Sequence, residues 1–297
     1  MLHADTSLIK ISTVNDAHTY PPVCVTKFER GEHQLLYINA RHVTNADNST
    51  CRTIQETMSR YHPRAVIVEC GGFAAGARFR SYVSEVSERC KTPFNVANEC
   101  DFTILKALQE NIPMANGEPT DEVIFEEILA RGYSSKEYEF FMFLRRIGSL
   151  KRHHRIDPSS FDNLSQVTLD SFASRLSIPV DKRLSLKECK VWFNHYYPER
   201  RSLLNISSND TGPDSSGGAT FAQRLSYDID QTREPHIVRT ITDMLNLHKS
   251  VLVVYGAAHR ESHLPVFEEM LGRGEIHILV PTAPRFKITI TGSNSNP

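Results

Sequence analysis

The sequence predicts an α/β fold: a mainly parallel sheet with helices on both faces. Five short apolar runs, several of them rich in Val and Ile, have the length and composition of buried strands; they span residues 34–38, 65–68, 112–115, 250–255 and 276–280. Segments with apolar residues at helical spacing lie between them. Strands that alternate with helices favour parallel pairing, because each helix carries the chain back to the same edge of the sheet.

Two of the predicted helices have recognisable ends. Thr120 is placed to cap the first of them, which has two acidic residues in its first turn, and Gly132 is suited to end it. Ser134 and Glu137 have the spacing of a capping box ahead of the second helix. The apolar stripe of that helix consists of Phe140, Phe141, Leu144 and Ile147. We interpret this stripe as core rather than as a cofactor site.

A further helix is predicted to start near Thr232. Proline is tolerated only within the first turn of a helix, and Pro235 is followed by apolar residues at every third or fourth position. These apolar residues are Ile237, Ile241, Met244 and Leu245. Arg233 and His236 would then lie at the amino end of the helix.

The domain organisation follows from length and composition. We expect one α/β domain over residues 20–290, with a helical insert at about 134–225 and extended or disordered ends at 1–19 and 291–297. Residues 207–219 combine Ser, Gly, Asp and Pro with no apolar period. This segment is therefore predicted to be a mobile loop outside the core.

Charge and hydropathy limit the class of partner. The chain has 34 Lys and Arg against 35 Asp and Glu, so its formal charge of −1 produces no general attraction to nucleic acid. No stretch approaches the ~18 consecutive apolar residues of a membrane-spanning helix. We expect a small-molecule or peptide substrate and no nucleic-acid or membrane partner. The oligomeric state is left open.

The cysteines indicate the compartment. All six are widely spaced and form no C-x-x-C pair, so they are interpreted as free thiols in a reducing compartment. The first twenty residues lack the basic and apolar segments of a secretory signal. A cytoplasmic location is therefore expected.

Two predicted strands end in the same way. LLYINARH ends at His42 and VLVVYGAAH ends at His259, and each has an apolar strand, Asn or Gly, Ala, one more residue and His. Gly256 suits a turn with positive φ, and Asn39 is among the few other residues that tolerate one. Each histidine would then project just beyond a strand.

Two carboxylates follow neighbouring predicted strands. Glu69 comes directly after residues 65–68, and Glu118 follows residues 112–115 through Asn116 and Gly117. Ligands of open α/β sheets bind outside the carboxyl ends of the strands, so four strand ends that each deliver an ionisable group indicate a site. A single His or Glu after a strand is more often a helix cap or a satisfied loop residue, and Glu118 could simply lead into the next helix.

Other catalytic motifs are absent from the sequence, including G-x-S-x-G, G-x-x-x-x-G-K-[ST] and G-x-G-x-x-G. His259 and His263 are four residues apart, but H-R-E-S-H differs from the H-E-x-x-H zinc motif. Pro265 also predicts a helix start near Ser262. The segment GGFAAG at residues 71–76 is suited to hold an anion near backbone amides, or is a tight loop.

These residues resemble the superfamily that groups TraB, the TIKI metalloproteases, the erythromycin esterases and the haem-binding ChaN-like proteins. Its members have two G-x-x-H motifs, a glutamate after the second strand and an arginine ahead of the last motif. The segment GAAH ending at His259 matches the second motif, while Glu69 and Arg233 match the glutamate and the arginine. The first motif departs from the pattern, because Asn39 stands in the place of its glycine ahead of His42.

The resemblance implies a metal-dependent peptidase or an esterase-like hydrolase. The candidate catalytic residues are His42, Glu69, His259 and Arg233, with Glu118 and His236 as additional candidates. A carboxylate beside an imidazole would activate water, directly or on a divalent ion such as Mn²⁺, Co²⁺ or Zn²⁺ bound by His42, Glu69 and His259. The alternative is a non-catalytic ChaN-like protein that binds haem, a metal or a small anion through the same histidines.

Overall fold

In the computed structural model, the described residues are 1–13, 16, 22–41, 48–71, 74–90, 98–152, 161–200 and 202–278. The chain divides into two compact units. The first comprises Met1–Lys10, Thr19–Pro119 and Glu234–Pro297, and the second comprises Ile11–His18 and Thr120–Arg233.

The strands belong to the first unit and the helices to both. The strands are β1 (Val25–Arg30), β2 (His33–Ala40), β3 (Ala65–Val68), β4 (Met114–Asn116), β5 (Ser250–Gly256) and β6 (Glu275–His277). The first unit also contains the helices α1 (Ser49–Tyr61), α2 (Arg78–Arg89), α3 (Glu99–Gln109) and α9 (Ala257–Leu271). The second unit contains α4 (Asp121–Ala130), α5 (Ser135–Arg152), α6 (Phe161–Arg175) and α7 (Leu186–Tyr196). The long helix α8 (Phe221–His248) begins in the second unit and ends in the first.

The described strands form one sheet in the order β4-β3-β5-β2-β1-β6. The first four of these pair in parallel, whereas β1 pairs antiparallel with both β2 and β6. A two-residue turn with Gly31 at a φ of 60° joins β1 to β2. The fold is therefore α/β with a mixed, mostly parallel sheet, which confirms the predicted class.

Helices cover both faces of the sheet, because alternate residues of each strand point to opposite sides. In β2, Leu36 and Ile38 pack with residues of α1, α2 and α3. Leu35 and Tyr37 pack on the other side with α8 and α9. Each such fully buried side chain contributes roughly 1.5–3 kcal/mol to the stability of the fold, so the two apolar clusters fix which helices lie on each face.

Strand prediction succeeded best in the middle of the sheet. The strand at residues 65–68 is confirmed, and β2 and β5 extend only slightly beyond their predicted ends. β4 starts at Met114 because Ile112 still belongs to the turn after α3, where its N–H donates to the Ala107 carbonyl at 2.8 Å. β6 is shorter than predicted over the described residues, and residues 279–280 lie outside them. β1 was missed because its sequence, VTKFER, has charged residues at half of its positions.

The second unit is helical and confirms the predicted capping residues. The Thr120 side chain accepts a hydrogen bond from the Val123 amide, and the Ser134 and Glu137 side chains each accept from the other residue's amide. The predicted stripe on α5 is buried in the apolar cluster of this unit. In the loop at 207–219, Thr211 and Asp214 are buried, so part of a segment expected to lie outside the core is enclosed.

The predicted start of the helix near Thr232 is wrong. α8 begins at Phe221, and Pro235 lies inside it. Apolar residues upstream of the proline, Leu225 and Ile229, are buried in the second unit and stabilise the earlier turns. The packing of these residues thus compensates for the loss of the one helical hydrogen bond that proline cannot donate. Arg233 and His236 consequently lie within the helix and not at its amino end.

The interpretation of all six cysteines as free thiols is also wrong. Cys70, after β3, and Cys100, at the start of α3, form a disulfide across a sequence separation of 30 residues. The other four, Cys24, Cys51, Cys90 and Cys189, are free and buried. Spacing along the chain could not reveal the pair, because the fold brings the two sulfurs together.

Among the described helices, none has the length and apolar character needed to cross a membrane.

Glu188 is expected to make the stability of the second unit depend on pH. The Ser185 amide and hydroxyl donate to its carboxylate at 2.9 and 2.7 Å, and Lys136 Nζ lies 2.7 Å away. Hydrogen bonds from Lys136 and Ser185 lower the pKa of Glu188 from 4.5 to about 2. A carboxylate whose pKa is lower in the folded state stabilises the fold above its unfolded pKa and loses that effect as the pH falls through its folded pKa.

Glu188→Gln should therefore destabilise the protein at neutral pH, by about 1 kcal/mol or less because the carboxylate is partly exposed. The difference from wild type should shrink as the pH falls from about 4.5 towards 2. Urea denaturation at several pH values measures this, with Glu126→Gln on an exposed face of α4 as the control. A difference that stays constant with pH would contradict the prediction.

Candidate functional site

Three neighbouring strands deliver polar residues to one edge of the sheet in the first unit. β4, β3 and β5 are adjacent and parallel, so their carboxyl ends lie together. Glu118 follows β4, Glu69 follows β3, and His259 lies in the first turn of α9 directly after β5. The topology thus brings Glu69 and His259 together although they are 190 positions apart in the chain.

The side chains of Glu69, Glu118 and His259 form a compact cluster. One ligand atom from each lies within 4.8 Å of those from the others. The Glu69 and His259 side chains are 17% and 11% exposed, and Glu118 is buried. Two carboxylates and one imidazole at this spacing are a donor set that divalent transition metals accept.

Glu69 is held by the start of α9. The Gly256 amide donates to Glu69 Oε2 at 2.9 Å, while Oε1 lies 3.4 Å from His259 Nε2. The positive φ expected at Gly256 is wrong, because its φ is −57°. β5 passes into α9 without a left-handed residue, and this extended geometry turns the amide towards the carboxylate. Asn39 likewise has no positive φ; its side chain instead accepts a hydrogen bond from the Cys24 amide at 2.6 Å.

Asn116 joins the loops that carry the two glutamates. Its Oδ1 accepts hydrogen bonds from the Glu118 amide at 3.1 Å and the Cys70 amide at 3.5 Å. Its Nδ2 donates to the Gly71 carbonyl at 3.1 Å. One amide side chain at the end of β4 therefore fixes the distance between the loop after β3 and the loop after β4.

A buried row of polar side chains continues from His259 into the protein. His259 Nδ1 lies 2.8 Å from Glu234 Oε1, and the other oxygen, Oε2, lies 2.6 Å from His263 Nε2. His263 Nδ1 lies 3.1 Å from the Tyr37 hydroxyl. The side chains of Glu234 and His263 are 2% and 0% exposed. We call Tyr37, His263 and Glu234 the polar row.

Electrostatics in this region follow from burial and from charge pairing. Burial alone would lower the pKa of His259, but the Glu234 and Glu69 carboxylates outweigh it and hold that pKa well above its ordinary value. Burial alone would raise the pKa of Glu234, but His259 and His263 hold it well below the usual range. Burial, reinforced by the Glu234 charge, raises the pKa of Tyr37, so its hydroxyl keeps its proton.

The other predicted site residues have different positions. His42 lies outside the described residues. Arg233 belongs to the second unit, where its Nη1 lies 3.1 Å from Asp230 Oδ1. His236 is partly buried on α8, and its pKa is lowered by burial and by Arg239, against the opposing charge of Glu118. The roles expected of His42, Arg233 and His236 stay predictions.

Sequence reasoning missed Glu234, His263 and Tyr37. The predicted helix start near Ser262 is wrong, because α9 begins at Ala257 and contains Pro265. His259 and His263 therefore share one face of one helix, at the four-residue spacing visible in the sequence. That spacing was the available signal for His263. Glu234 had no such signal, because its partners lie more than twenty positions further along the chain.

Gly117 is expected to be required for close packing beside the cluster. A Cβ at this position would collide with the Tyr255 hydroxyl and lie 3.1 Å from Ile67 Cγ2. Tyr255 is fully buried, so its ring has no room to move aside. Gly117→Ala should therefore cost about 1–3 kcal/mol of stability, as measured by urea denaturation.

Two variants test this explanation. Adding Tyr255→Phe to Gly117→Ala should recover part of the loss relative to Tyr255→Phe alone, since the hydroxyl oxygen is the atom that collides. Gly217→Ala should be close to neutral, because no atom lies within 4 Å of its added Cβ. If Gly117→Ala proves as stable as Gly217→Ala, the packing argument fails.

Fold and site together define the class: an α/β protein with a carboxylate and histidine cluster at the carboxyl edge of a mostly parallel sheet. No protein family, curated protein or solved structure matches the chain.

Proposed function

We propose that the chain is a hydrolase that uses a divalent metal ion at Glu69, Glu118 and His259. The observation that carries this proposal is the approach of three ligand atoms to within 4.8 Å of one another at the ends of adjacent strands. Ligands of open α/β sheets bind at this edge. A small ester or a peptide is the proposed class of substrate.

The donor set fits a divalent ion in charge and in chemistry. Binding of an ion displaces the extra proton of His259, and the two carboxylates then carry a net charge of about −2, which a divalent cation balances. Carboxylate oxygen and imidazole nitrogen suit Zn²⁺, Co²⁺ and Mn²⁺. Glu118 is only 3% exposed, so a bound cation would also compensate a carboxylate that is largely removed from water.

The residues of the cluster would divide the work of hydrolysis. A bound ion supplies a Lewis acid that polarises a substrate carbonyl and makes water more acidic. Glu69 would bind the ion through Oε1, because Oε2 accepts a hydrogen bond from the Gly256 amide while Oε1 faces His259 Nε2. His259 would bind through Nε2, since its Nδ1 is directed at Glu234.

The resemblance to the TraB, TIKI and erythromycin esterase superfamily supports the same reaction class and stays a proposal. Glu69 and His259 are the positions that match its glutamate and its last histidine, and both belong to the cluster. Of the activities in that superfamily, the metal-dependent peptidase type agrees best with a cluster of two carboxylates and one imidazole.

The test combines metal binding with turnover. Protein stripped with a chelator is titrated with Zn²⁺, Co²⁺ and Mn²⁺, and hydrolysis of an ester and peptide panel is followed before and after metal addition. We expect one ion per chain and hydrolysis only in the loaded protein. Glu118→Gln should weaken binding, whereas Glu268→Gln should not, because Glu268 is exposed on α9 away from the cluster residues.

Each failure has a distinct meaning. No binding at micromolar metal, or equal binding by Glu118→Gln and Glu268→Gln, would overturn the metal site. Binding without turnover on the panel would overturn the hydrolase assignment in favour of a metal-binding protein. A Soret shift with haemin that depends on His259 would favour the haem alternative instead.

We also propose a cytoplasmic location, because four of the six cysteines are free thiols. The Cys70–Cys100 disulfide argues in the opposite direction, because disulfides are rare in a reducing compartment. The bonded pair makes this proposal testable. Thiol labelling in intact cells should find Cys70 and Cys100 largely reduced if the protein resides in the cytoplasm. A pair that is fully oxidised in growing cells would contradict the location.

A further inference from the structure

The polar row gives His259 one defined orientation. An imidazole can bind a metal through either ring nitrogen, and the nitrogens face different directions. Here Nδ1 lies 2.8 Å from Glu234 Oε1, and Nε2 faces the cluster at 3.4 Å from Glu69 Oε1. A carboxylate only accepts hydrogen bonds, so Nδ1 must carry the proton that is donated to Glu234.

The far oxygen of Glu234 has its own partner. His263 Nε2 lies 2.6 Å from Oε2, within ion-pair distance. The other ring nitrogen of His263, Nδ1, lies 3.1 Å from the Tyr37 hydroxyl and forms a hydrogen bond with it.

The contacts therefore converge on the Glu234 carboxylate from two sides. The Tyr37 hydroxyl lies 3.1 Å from His263 Nδ1, His263 Nε2 lies 2.6 Å from Glu234 Oε2, and His259 Nδ1 donates to Glu234 Oε1. Each member is buried, and the elements that carry them differ: β2 for Tyr37, α9 for His263 and α8 for Glu234. A row of polar side chains in close contact on three rigid elements resists rotation of the His259 ring.

We infer that Glu234, supported by His263 and Tyr37, is the positioning residue that makes His259 bind a metal ion through Nε2. This inference rests on the proposed function for the ion, but the hydrogen bond between Glu234 and His259 does not depend on it. Metal-binding histidines that donate their second N–H to a carboxylate bind more tightly, because the ring orientation and tautomer are selected in advance.

The experiment compares Glu234→Gln with Glu234→Leu. Gln retains an oxygen that can accept the Nδ1 proton, whereas Leu has a similar volume and no acceptor. Zinc affinity is measured by competition with a chelating dye, and the ring nitrogens of His259 are observed by NMR with and without zinc. We expect Glu234→Leu to lose about 10- to 100-fold in affinity and to lose the Nδ1–H signal. Glu234→Gln should keep the signal and most of the affinity.

If Glu234→Leu does not fold, a second variant, Tyr37→Phe, tests the same inference. Tyr37→Phe removes only the hydroxyl at the end of the row, and we expect it to lower zinc affinity by about two- to tenfold. Tyr61→Phe is the matched control, because Tyr61 lies on α1 outside the polar row. Equal affinity in the two phenylalanine variants would count against the inference.

The outcomes separate this inference from the proposed function. Wild-type protein that binds no zinc but shows a His259 Nδ1–H signal, lost in Glu234→Leu, contradicts the proposed metal site and supports the row. Zinc binding that is equally tight in wild type and both Glu234 variants, with unchanged ring signals, overturns the inference and leaves the metal site standing.

Discussion

Glu69→Gln should lower the affinity for a divalent ion by about 100-fold or more, since removal of even an outer hydrogen-bond partner of a metal ligand typically costs 10–100-fold. The substitution keeps the size of the side chain, and the Gln oxygen can still accept the Gly256 amide that Glu69 Oε2 accepts at 2.9 Å. What is lost is a negative charge 3.4 Å from His259 Nε2. Isothermal titration of metal-free protein with Zn²⁺ measures the effect.

The control for this prediction removes the same charge elsewhere. Glu268 lies on the exposed side of α9, the helix that carries His259, and is not part of the cluster. Glu268→Gln therefore changes the net charge of the protein by the same amount as Glu69→Gln without altering the cluster. Urea denaturation of both variants separates weaker binding from partial unfolding. Equal zinc affinities for the two variants would show that Glu69 is not a ligand.

Reduction of the Cys70–Cys100 disulfide should lower the free energy of unfolding by about 3–4 kcal/mol in the chain-entropy description. The bond closes a loop across a sequence separation of 30 residues, which restricts the unfolded chain. Cys70 also follows Glu69 directly, so reduction should loosen that carboxylate and weaken metal binding as well. Urea denaturation with and without a thiol reductant measures the stability, and a metal titration measures the second effect.

The double variant Cys70→Ser/Cys100→Ser is the control for the reductant. It should already have the lower stability, and the reductant should not change it further, because the remaining cysteines, Cys24, Cys51, Cys90 and Cys189, are free. A thiol assay of unfolded protein should count four reactive groups before reduction and six after it. Six groups before reduction would contradict the disulfide itself.

Local patterns predicted much of the fold but failed where packing overrides them. The cap at Thr120 and the box of Ser134 and Glu137 depend on residues within one turn, and both are confirmed. The starts predicted near Thr232 and Ser262 failed, because helices α8 and α9 continue through Pro235 and Pro265. A proline costs one hydrogen bond, and burial of the neighbouring turns outweighs that loss.

The same division applies to the candidate site. Glu69, Glu118 and His259 could be proposed from the sequence because each follows an apolar strand, and parallel strands bring their ends to one edge. Glu234 and His263 are inside helices and follow no strand. Their part in the site depends on how α8 and α9 pack on the sheet, which no local pattern reports.

By itself the sequence determined the α/β class, because alternating apolar strands and amphipathic helices are local properties of the chain. It also indicated four ionisable groups at the edge of the sheet, and the three that lie in the described residues, Glu69, Glu118 and His259, form the cluster. Only the tertiary structure decided that Cys70 bonds to Cys100, and that Glu234 directs His259 towards Glu69. Both are contacts between residues far apart in the chain, and their distances are set by the packing of whole elements rather than by neighbouring residues.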